Sequence, residues 1–135
     1  MATVIGTAAS AGVQPKAMRV GLVSVVATYS VGVSLSNGDV IQMIKVPVNA
    51  RVFDVWLAYA SNGQGSLVVG DGVDTDRYIS AVATSSGLTA TQRMNALPAP
   101  YTYSVDDTID VVVSASAQAS SGAIYMGAII EYPGP

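Results

Sequence analysis

Histidine and cysteine are both absent from this 135-residue chain, and charged residues make up only 11% of it. Without histidine, the chain lacks the side chain that most often performs acid–base catalysis near neutral pH, and it cannot form a Ser-His-Asp triad. Without cysteine, it has no disulfide, no thiolate nucleophile and no thiolate metal ligand. We therefore expect a protein that is not an enzyme, and we assign no catalytic, cofactor-binding or metal-binding residues.

The scarcity of charge also bears on the surface of the protein. Soluble proteins carry about 25% charged residues, whereas half of this chain is hydrophobic. So few charges cannot coat a monomer in the usual way, which predicts that part of the surface contacts other subunits. The 6 basic and 9 acidic residues give a net charge of -3 without a basic run, so no direct nucleic-acid partner is expected.

Two uncharged stretches, at 20–38 and 111–130, have the length of membrane spans. Serine and threonine residues and the Asn37-Gly38 turn interrupt the first, and a serine-rich segment interrupts the second. The N-terminal residues contain no basic side chain before Lys16 and no compact apolar stretch, so no secretory signal is predicted. We expect no membrane partner.

Short β-type runs separated by turn residues recur along the chain, with no helical period and no internal repeat. The predicted strands lie at 20–29, 31–35, 40–46, 51–60, 66–70, 77–82, 108–115 and 123–132. About eight short strands are typical of an all-β, antiparallel, jelly-roll-like β-sandwich. Residues 1–16 show no period and are predicted to form an extended N-terminal arm, followed by a single β-sandwich domain at 17–135.

The sequence also predicts how some strands are connected. Asn37-Gly38 lies between the runs 31–35 and 40–46, and Asn-Gly favours a hairpin with a type I′ turn. The last two runs flank a short polar loop and are predicted to form a C-terminal hairpin. Residues 83–100 are rich in Thr, Ser, Ala and Pro and are predicted to form a long surface connection.

Trp56 is the one tryptophan of the chain and lies in the run 51–60. Strand alternation assigns one face of this run to the core, namely Phe53, Val55, Leu57 and Tyr59. Trp56 belongs to the opposite face. Two interpretations are evenly weighted: Trp56 covers the second face or rim of the sandwich, or it anchors an interface.

Two acidic segments invite chemical interpretations. Asp71, Asp74 and Asp76 follow one another in a glycine-rich loop that could hold Ca²⁺, but the spacing is wrong for an EF-hand, and such residues more often accept backbone hydrogen bonds. The pair Asp106-Asp107, with Asp110 nearby, could suggest a glycosidase. Adjacent aspartates before a strand more often form a turn.

Tyrosine and arginine residues offer further contact candidates. Tyr101, Tyr103, Tyr125 and Tyr132 could line a sugar-binding surface, although strand tyrosines mostly serve packing. The arginines Arg51, Arg77 and Arg93 could bridge to acidic patches on a neighbouring subunit, and solvated surface positions explain them equally well.

Three segments carry a resemblance to a known family: VIQMIKVPVNARV at 40–52, SLVVGDG at 66–72 and DTDRYISA at 74–81. In pattern and order, residues 38–132 resemble the small virion proteins of tailed bacteriophages that decorate or cement the head. The resemblance contains no catalytic motif. It implies a jelly-roll-like subunit that binds the outer surface of an icosahedral capsid, assembled in the host cytoplasm.

The same resemblance implies partners and contact residues. The partners would be the major capsid protein and further copies of the chain, as a homo-dimer or homo-trimer that bridges neighbouring capsomers. The N-terminal region of such proteins often contacts the shell. The expected subunit-contact residues are Ala2, Thr3, Val4, Ile5, Arg51, Trp56, Arg77 and Arg93. The alternative function is a carbohydrate-binding head-fibre or tail adhesin module.

Overall fold

The computed structural model describes residues 3–5, 21–30, 32, 35–60, 66–83, 92–94, 100–115 and 122–133. The strands are β1 (Thr3–Ile5), β2 (Gly21–Ser30), β3 (Val40–Val46), β4 (Arg51–Ala60), β5 (Ser66–Gly70), β6 (Ile79–Ala83), β7 (Gln92–Arg93), β8 (Tyr101–Thr102), β9 (Asp107–Ala115) and β10 (Ala123–Tyr132). In these ranges there is no helix long and apolar enough to cross a membrane.

The strands form two sheets. The first has the order β1-β3-β9-β5-β6, and the second has the order β2-β10-β4-β7, with β8 pairing with another part of β4. Strand β1 runs parallel to β3, and the other pairs are antiparallel.

The pairing is nested when β1 is set aside and β7 and β8 are counted as one interrupted strand. β2 pairs with β10, β3 with β9, β4 with β7 and β8, and β5 with β6. An antiparallel ribbon folded in this way into two four-stranded sheets is a jelly roll. The predicted fold class and strand number are therefore confirmed.

The core lies between the two sheets and is built by alternation along each strand. On β10, the inward residues Ile124, Met126, Ala128 and Ile130 are at most 4% exposed. Burying one large aliphatic side chain contributes about 1.5–3 kcal/mol, so alternation fixes which face of each strand turns inward. The other face of the second sheet remains available for contacts.

The prediction that Phe53 belongs to the core is wrong. Val55, Leu57 and Tyr59 are buried as predicted, but Phe53 is exposed and Val52 is buried in its place. The register between β4 and β10 shifts at this point, so that Ile129 is opposite Asp54 and Ile130 is opposite Val52. A β-bulge inserts one extra residue and inverts the alternation beyond it.

The prediction of a hairpin around Asn37-Gly38 is also wrong. A turn is present, with the Asp39 amide donating to the Ser36 carbonyl at 3.0 Å. Gly38 has a φ of 93°, whereas Asn37 does not have a positive φ, so the turn is not of type I′. Gly32 and Leu35 are not in a strand, and β3 pairs with β1 and β9 instead.

The predicted C-terminal hairpin is absent as well. β9 pairs with β3 and β5 in the first sheet, and β10 pairs with β2 and β4 in the second. The two strands are neighbours in sequence but lie in different sheets, because a jelly-roll ribbon crosses from one sheet to the other.

Part of the predicted N-terminal arm is described. Residues 3–5 form β1 at the edge of the first sheet, where Thr3 is opposite Val40. The rest of 1–16 lies outside the described residues, so the boundary between arm and domain stays a prediction. Within the predicted connection 83–100, Gln92–Arg93 form β7 against Trp56 and Leu57.

Candidate functional site

The second sheet presents an outer face that is continuous across β2, β10 and β4. The cross-strand register aligns Thr28, Tyr125 and Ala58 in one row, and Val26, Gly127 and Trp56 in the next. Ser24, Ile129 and Asp54 follow, and then Leu22, Glu131 and Arg51. We call these twelve residues, together with Arg93 opposite Trp56, the outer face.

Apolar side chains project from the outer face into solvent. Leu22 is 61% exposed, Val26 63% and Tyr125 39%, and Phe53 at the adjoining bulge is 39% exposed. Large exposed apolar groups that lie together mark interaction sites more often than isolated ones do. With three strands about 4.8 Å apart and ten residues of about 3.3 Å each, the face covers about 500 Å².

The charges of the outer face are matched in pairs within the chain. The Arg93 guanidinium donates to Asp54, and Arg51 Nε lies 3.6 Å from Glu131 Oε1. Each pair joins adjacent strands and leaves no net charge on the face. Exposed pairs of this kind contribute little to stability, about 0–1 kcal/mol each. Their effect is to make the surface neutral.

Trp56 lies against the sheet because its neighbour on β10 is glycine. A Cβ placed at Gly127 would overlap the indole ring of Trp56. The ring therefore covers the backbone of β10 and is only partly exposed. Asp54, Trp56, Arg93 and Ile129 line an open depression of about 360 Å³ beside it. Of the two interpretations for Trp56, covering the second face of the sheet agrees with this position, and the anchoring role stays a prediction.

Asp71 organises a separate, buried network. Its side chain accepts hydrogen bonds from Arg77 Nε at 2.6 Å and from the Tyr103 hydroxyl at 3.0 Å. The backbone amides of Val73 and Asp74 donate to it at 3.0 and 2.9 Å. The prediction that this loop uses aspartate to accept backbone hydrogen bonds is confirmed at Asp71.

The electrostatics of Asp71 follow from these bonds. Burial alone would raise its pKa, but the hydrogen bonds from Arg77, the two amides and Tyr103 favour the carboxylate and hold the pKa below its ordinary value. Tyr78 extends the network, with its hydroxyl 2.7 Å from that of Tyr103. Because Tyr103 donates to the carboxylate, Tyr78 donates to Tyr103.

Arg77 is largely engaged inside the chain. Besides binding Asp71, its guanidinium carbon lies 3.8 Å from the centre of the Tyr101 ring, and its side chain is 16% exposed. Tyr101 in turn meets Tyr103 edge to face, with ring centres 4.9 Å apart. The network therefore fastens the loop after β5 to β8, and we find no surplus hydrogen-bonding capacity at Asp71 for a ligand.

A larger open cleft of about 530 Å³ lies at one end of the first sheet, bordered by Lys45, Pro47, Asp106 and Asp107. Its acidic side chains bind backbone. Asp106 accepts from the Val48 amide at 2.8 Å, and Asp107 accepts from the Thr108 amide at 2.8 Å. These contacts agree with the turn interpretation. In the described part of the chain, no group of three acidic residues is placed to hold a metal ion.

Asp110 differs from the other carboxylates because it is buried with a single neutral donor. It is 5% exposed and accepts from Thr108 Oγ1 at 2.6 Å. Burial raises its pKa to about 7; the Thr108 bond opposes this, and the charges of Asp107 and Asp71 add to it.

The structure brings three of the predicted contact residues together. Arg51, Trp56 and Arg93 all belong to the outer face, whereas Arg77 lies in the Asp71 network. Thr3, Val4 and Ile5 form β1 at the edge of the other sheet, and Ala2 lies outside the described residues. Subunit contact by any of them stays a prediction.

The four tyrosines considered for sugar binding do not form one surface. Tyr103 and Tyr132 are buried, Tyr101 packs beneath Arg77, and Tyr125 lies on the outer face. Sequence reasoning missed the contribution of Leu22, Val26 and Tyr125 to the outer face. Both faces of β2 and β10 carry apolar residues in the sequence, so the alignment of these three on one exposed face requires the strand order.

Comparisons with known proteins give structural neighbours alone, because no protein-family model and no curated protein sequence matches the chain. A chain from the capsid of Ralstonia phage GP4 superposes with a TM-score of 0.73 at 15% identity, covering 99% of this chain and 100% of that one. A chain from the capsid asymmetric unit of cyanophage Pam1 gives 0.70 at 19% identity, covering 89% and 91%. A chain from the acid-stable capsid of Helicobacter pylori bacteriophage KHP30 gives 0.56 at 14% identity, covering 83% and 94%. The chain shares their fold.

Proposed function

We propose that this chain is a structural virion protein that decorates a bacteriophage icosahedral capsid and cements it by bridging neighbouring major-capsid subunits on the outer surface. Support comes first from the fold, which it shares over nearly its whole length with chains from three phage capsid structures. The observation that carries the proposal is the outer face, where exposed apolar side chains are combined with charges already paired inside the chain.

The outer face has the properties that a contact with a large protein shell requires. A stable contact buries about 800 Å² on each partner, and a flat face of about 500 Å² with projecting side chains supplies most of that area. A surface whose charges are already paired costs less to desolvate on binding than one with unpaired ions, and large residues such as Trp56 and Tyr125 are of the type that concentrates binding energy. Many such contacts on one shell add up, because every copy reinforces a separate joint.

The alternative function, carbohydrate binding, has less support. A sugar-binding surface uses aromatic rings grouped on one exposed face, and the described tyrosines are divided between the core, the Asp71 network and the outer face. Catalysis also has less support: Asp71 is saturated by donors of the chain itself, and Asp106 and Asp107 each accept a backbone amide.

Binding to shells tests the proposal directly. Shells assembled from the major capsid protein of the same genome are mixed with the purified chain and sedimented, and bound particles are imaged by cryo-electron microscopy. We expect co-sedimentation at a fixed ratio and density that straddles the joints between capsomers. Protein that stays in the supernatant, or density confined to the centre of single capsomers, would contradict bridging.

A matched pair of variants tests the outer face. Tyr125→Lys places a charge at the middle of the face, whereas Val105→Lys places the same charge at a loop residue that is 61% exposed. We expect the first variant to lose shell binding by about tenfold or more, corresponding to at least one well-placed contact residue, and the second to bind as wild type. Equal binding by both variants would exclude the outer face as the surface that contacts the shell.

A further inference from the structure

Strand β2 forms one edge of the second sheet. It pairs with β10 along its whole length, and no strand in the described ranges pairs with its other side. The other edge strands, β1, β6 and β7, have three, five and two residues, whereas β2 has ten. Natural proteins protect long edges with charged residues, proline or bulges. Strand β2 contains no charged residue and no proline, and its register with β10 is uninterrupted.

The sequence of this edge is complementary to itself. Leu22, Ser24 and Val26 lie on the outer face, with Ser24 midway between the two strongly exposed apolar residues. If two β2 strands pair antiparallel with Ser24 opposite Ser24, then Leu22 of each copy lies opposite Val26 of the other. On the inner side, Val23 lies opposite Val25. Directly opposed side chains have Cβ atoms about 4.5–5.5 Å apart and are in contact.

We propose that the β2 edge binds the β2 edge of a second copy of this chain, around a two-fold axis at Ser24, so that the two second sheets become one continuous sheet. A second copy is the occupant that fits, because this register pairs Leu22 with Val26 on both sides of the axis and Ser24 with Ser24. An edge without charge offers nothing to attract an oppositely charged partner. Val23, which is only partly buried at the rim of the core, becomes covered in the same step.

This inference is independent of the capsid proposal, since it concerns the free protein. It selects a dimer between the two oligomers predicted from the resemblance. It also assigns the dimer contact to the edge of the sheet, which leaves the centre of the outer face, around Tyr125, available for another partner.

Cysteine cross-linking tests both the contact and its register. The chain contains no cysteine, so a single Ser24→Cys substitution reports on that position alone. In the proposed register the two Cα atoms at the axis are about 4.5–5.5 Å apart, within the range that a disulfide spans. Ser30→Cys is the matched control on the same strand and face, where the two copies would be about 40 Å apart.

We expect mild oxidation to convert Ser24→Cys largely to a disulfide-linked dimer and to leave Ser30→Cys monomeric on non-reducing gels. Cross-linking of both variants to the same extent would overturn the register, and absence of cross-linking at position 24 would overturn the contact.

Charge substitution gives a second readout that does not depend on disulfide geometry. Ser24→Lys places two ammonium groups opposite each other, which we expect to weaken dimerisation about tenfold or more in sedimentation velocity experiments. Ser24→Glu should do the same, and a 1:1 mixture of the two variants should restore the dimer. Ser104→Lys, at an exposed loop serine, serves as the control and should dimerise as wild type.

The inference is overturned if sedimentation velocity finds the wild-type protein monomeric at every concentration tested. It is also overturned if Ser24→Lys dimerises like the wild type. Either result would leave the capsid proposal standing, because shell binding is measured separately with Tyr125→Lys.

Discussion

Replacing Asp110 by asparagine should stabilise the protein in a manner that depends on pH. Asp110 is 5% exposed, and its pKa is raised from 3.8 to about 7 by burial. Between these values the folded protein retains a proton that the unfolded chain has released, so the free energy of unfolding falls as the pH rises through this window. The difference between the two pKa values corresponds to a loss of at most about 4 kcal/mol in the free energy of unfolding. An asparagine at this position remains neutral and still accepts from Thr108 Oγ1 through its carbonyl.

The composition makes this experiment easy to interpret. Because the chain has no histidine and no cysteine, no other side chain has an ordinary pKa between about 5 and 8. Asp71 has the opposite effect on the pH dependence of stability, and at lower pH. Because its pKa is lowered, its stabilising bonds are present above the ordinary pKa of an aspartate and are lost as the pH falls below that value. Wild-type protein should therefore be most stable on the acid side of neutrality.

Urea unfolding at about pH 4, 5.5 and 8 is the appropriate assay. We expect Asp110→Asn to match wild type at the lowest pH and to exceed it by up to about 4 kcal/mol at the highest. Asp76→Asn, at an exposed loop residue, is the control and should change stability equally at all three values. If Asp110→Asn shifts stability by the same amount at every pH, or is destabilising at the highest, the assignment of a neutral buried carboxyl is refuted.

Two further substitutions test the packing described above. Gly127→Ala should cost about 1–3 kcal/mol, because its methyl group displaces the ring of Trp56, and the fluorescence of this one tryptophan should shift to the red; an unshifted spectrum would contradict the close approach. Tyr103→Phe should cost about 2–3 kcal/mol in urea unfolding, because it removes a bond to the Asp71 carboxylate and leaves the Tyr78 hydroxyl without its acceptor. Tyr78→Phe, which keeps the bond to Asp71, should cost less, and the reverse order would contradict the proposed direction of the hydrogen bonds.

Most of the long strands could be predicted from local sequence, because burial of one strand face requires alternation; the predicted run 31–35 and the short strands β7 and β8 are exceptions. The partners of the strands could not be predicted. The turn at Ser36–Asp39 was identified, but its chain partner is β9, since the Gly38 amide donates to the Val113 carbonyl at 2.7 Å. An Asn-Gly pair therefore indicates that the chain reverses direction, but it does not indicate which strand pairs with the strand that follows the turn. The assignment of β9 and β10 to one hairpin failed for the same reason.

The outer face was partly predictable. Arg51, Trp56 and Arg93 were selected by residue type, and the structure aligns them on one surface. Phe53 was assigned to the core because a bulge cannot be read from the alternation that it interrupts. The Asp71 network required contacts between loops more than thirty residues apart, such as the bond from Tyr103. No local pattern contains that information.

The position of β10 has a consequence for synthesis of the protein. This strand, which follows all the others, lies between β2 and β4, and its pair Gly21–Tyr132 encloses nearly the whole chain. The ribosome must therefore make residue 132 before β2 and β4 can pair with the strand that lies between them. Until then the apolar faces of β2 and β4 stay uncovered. Folding of this sheet should begin only after residue 132 has been translated, and a nascent chain stalled before β10 should be held by chaperones or degraded.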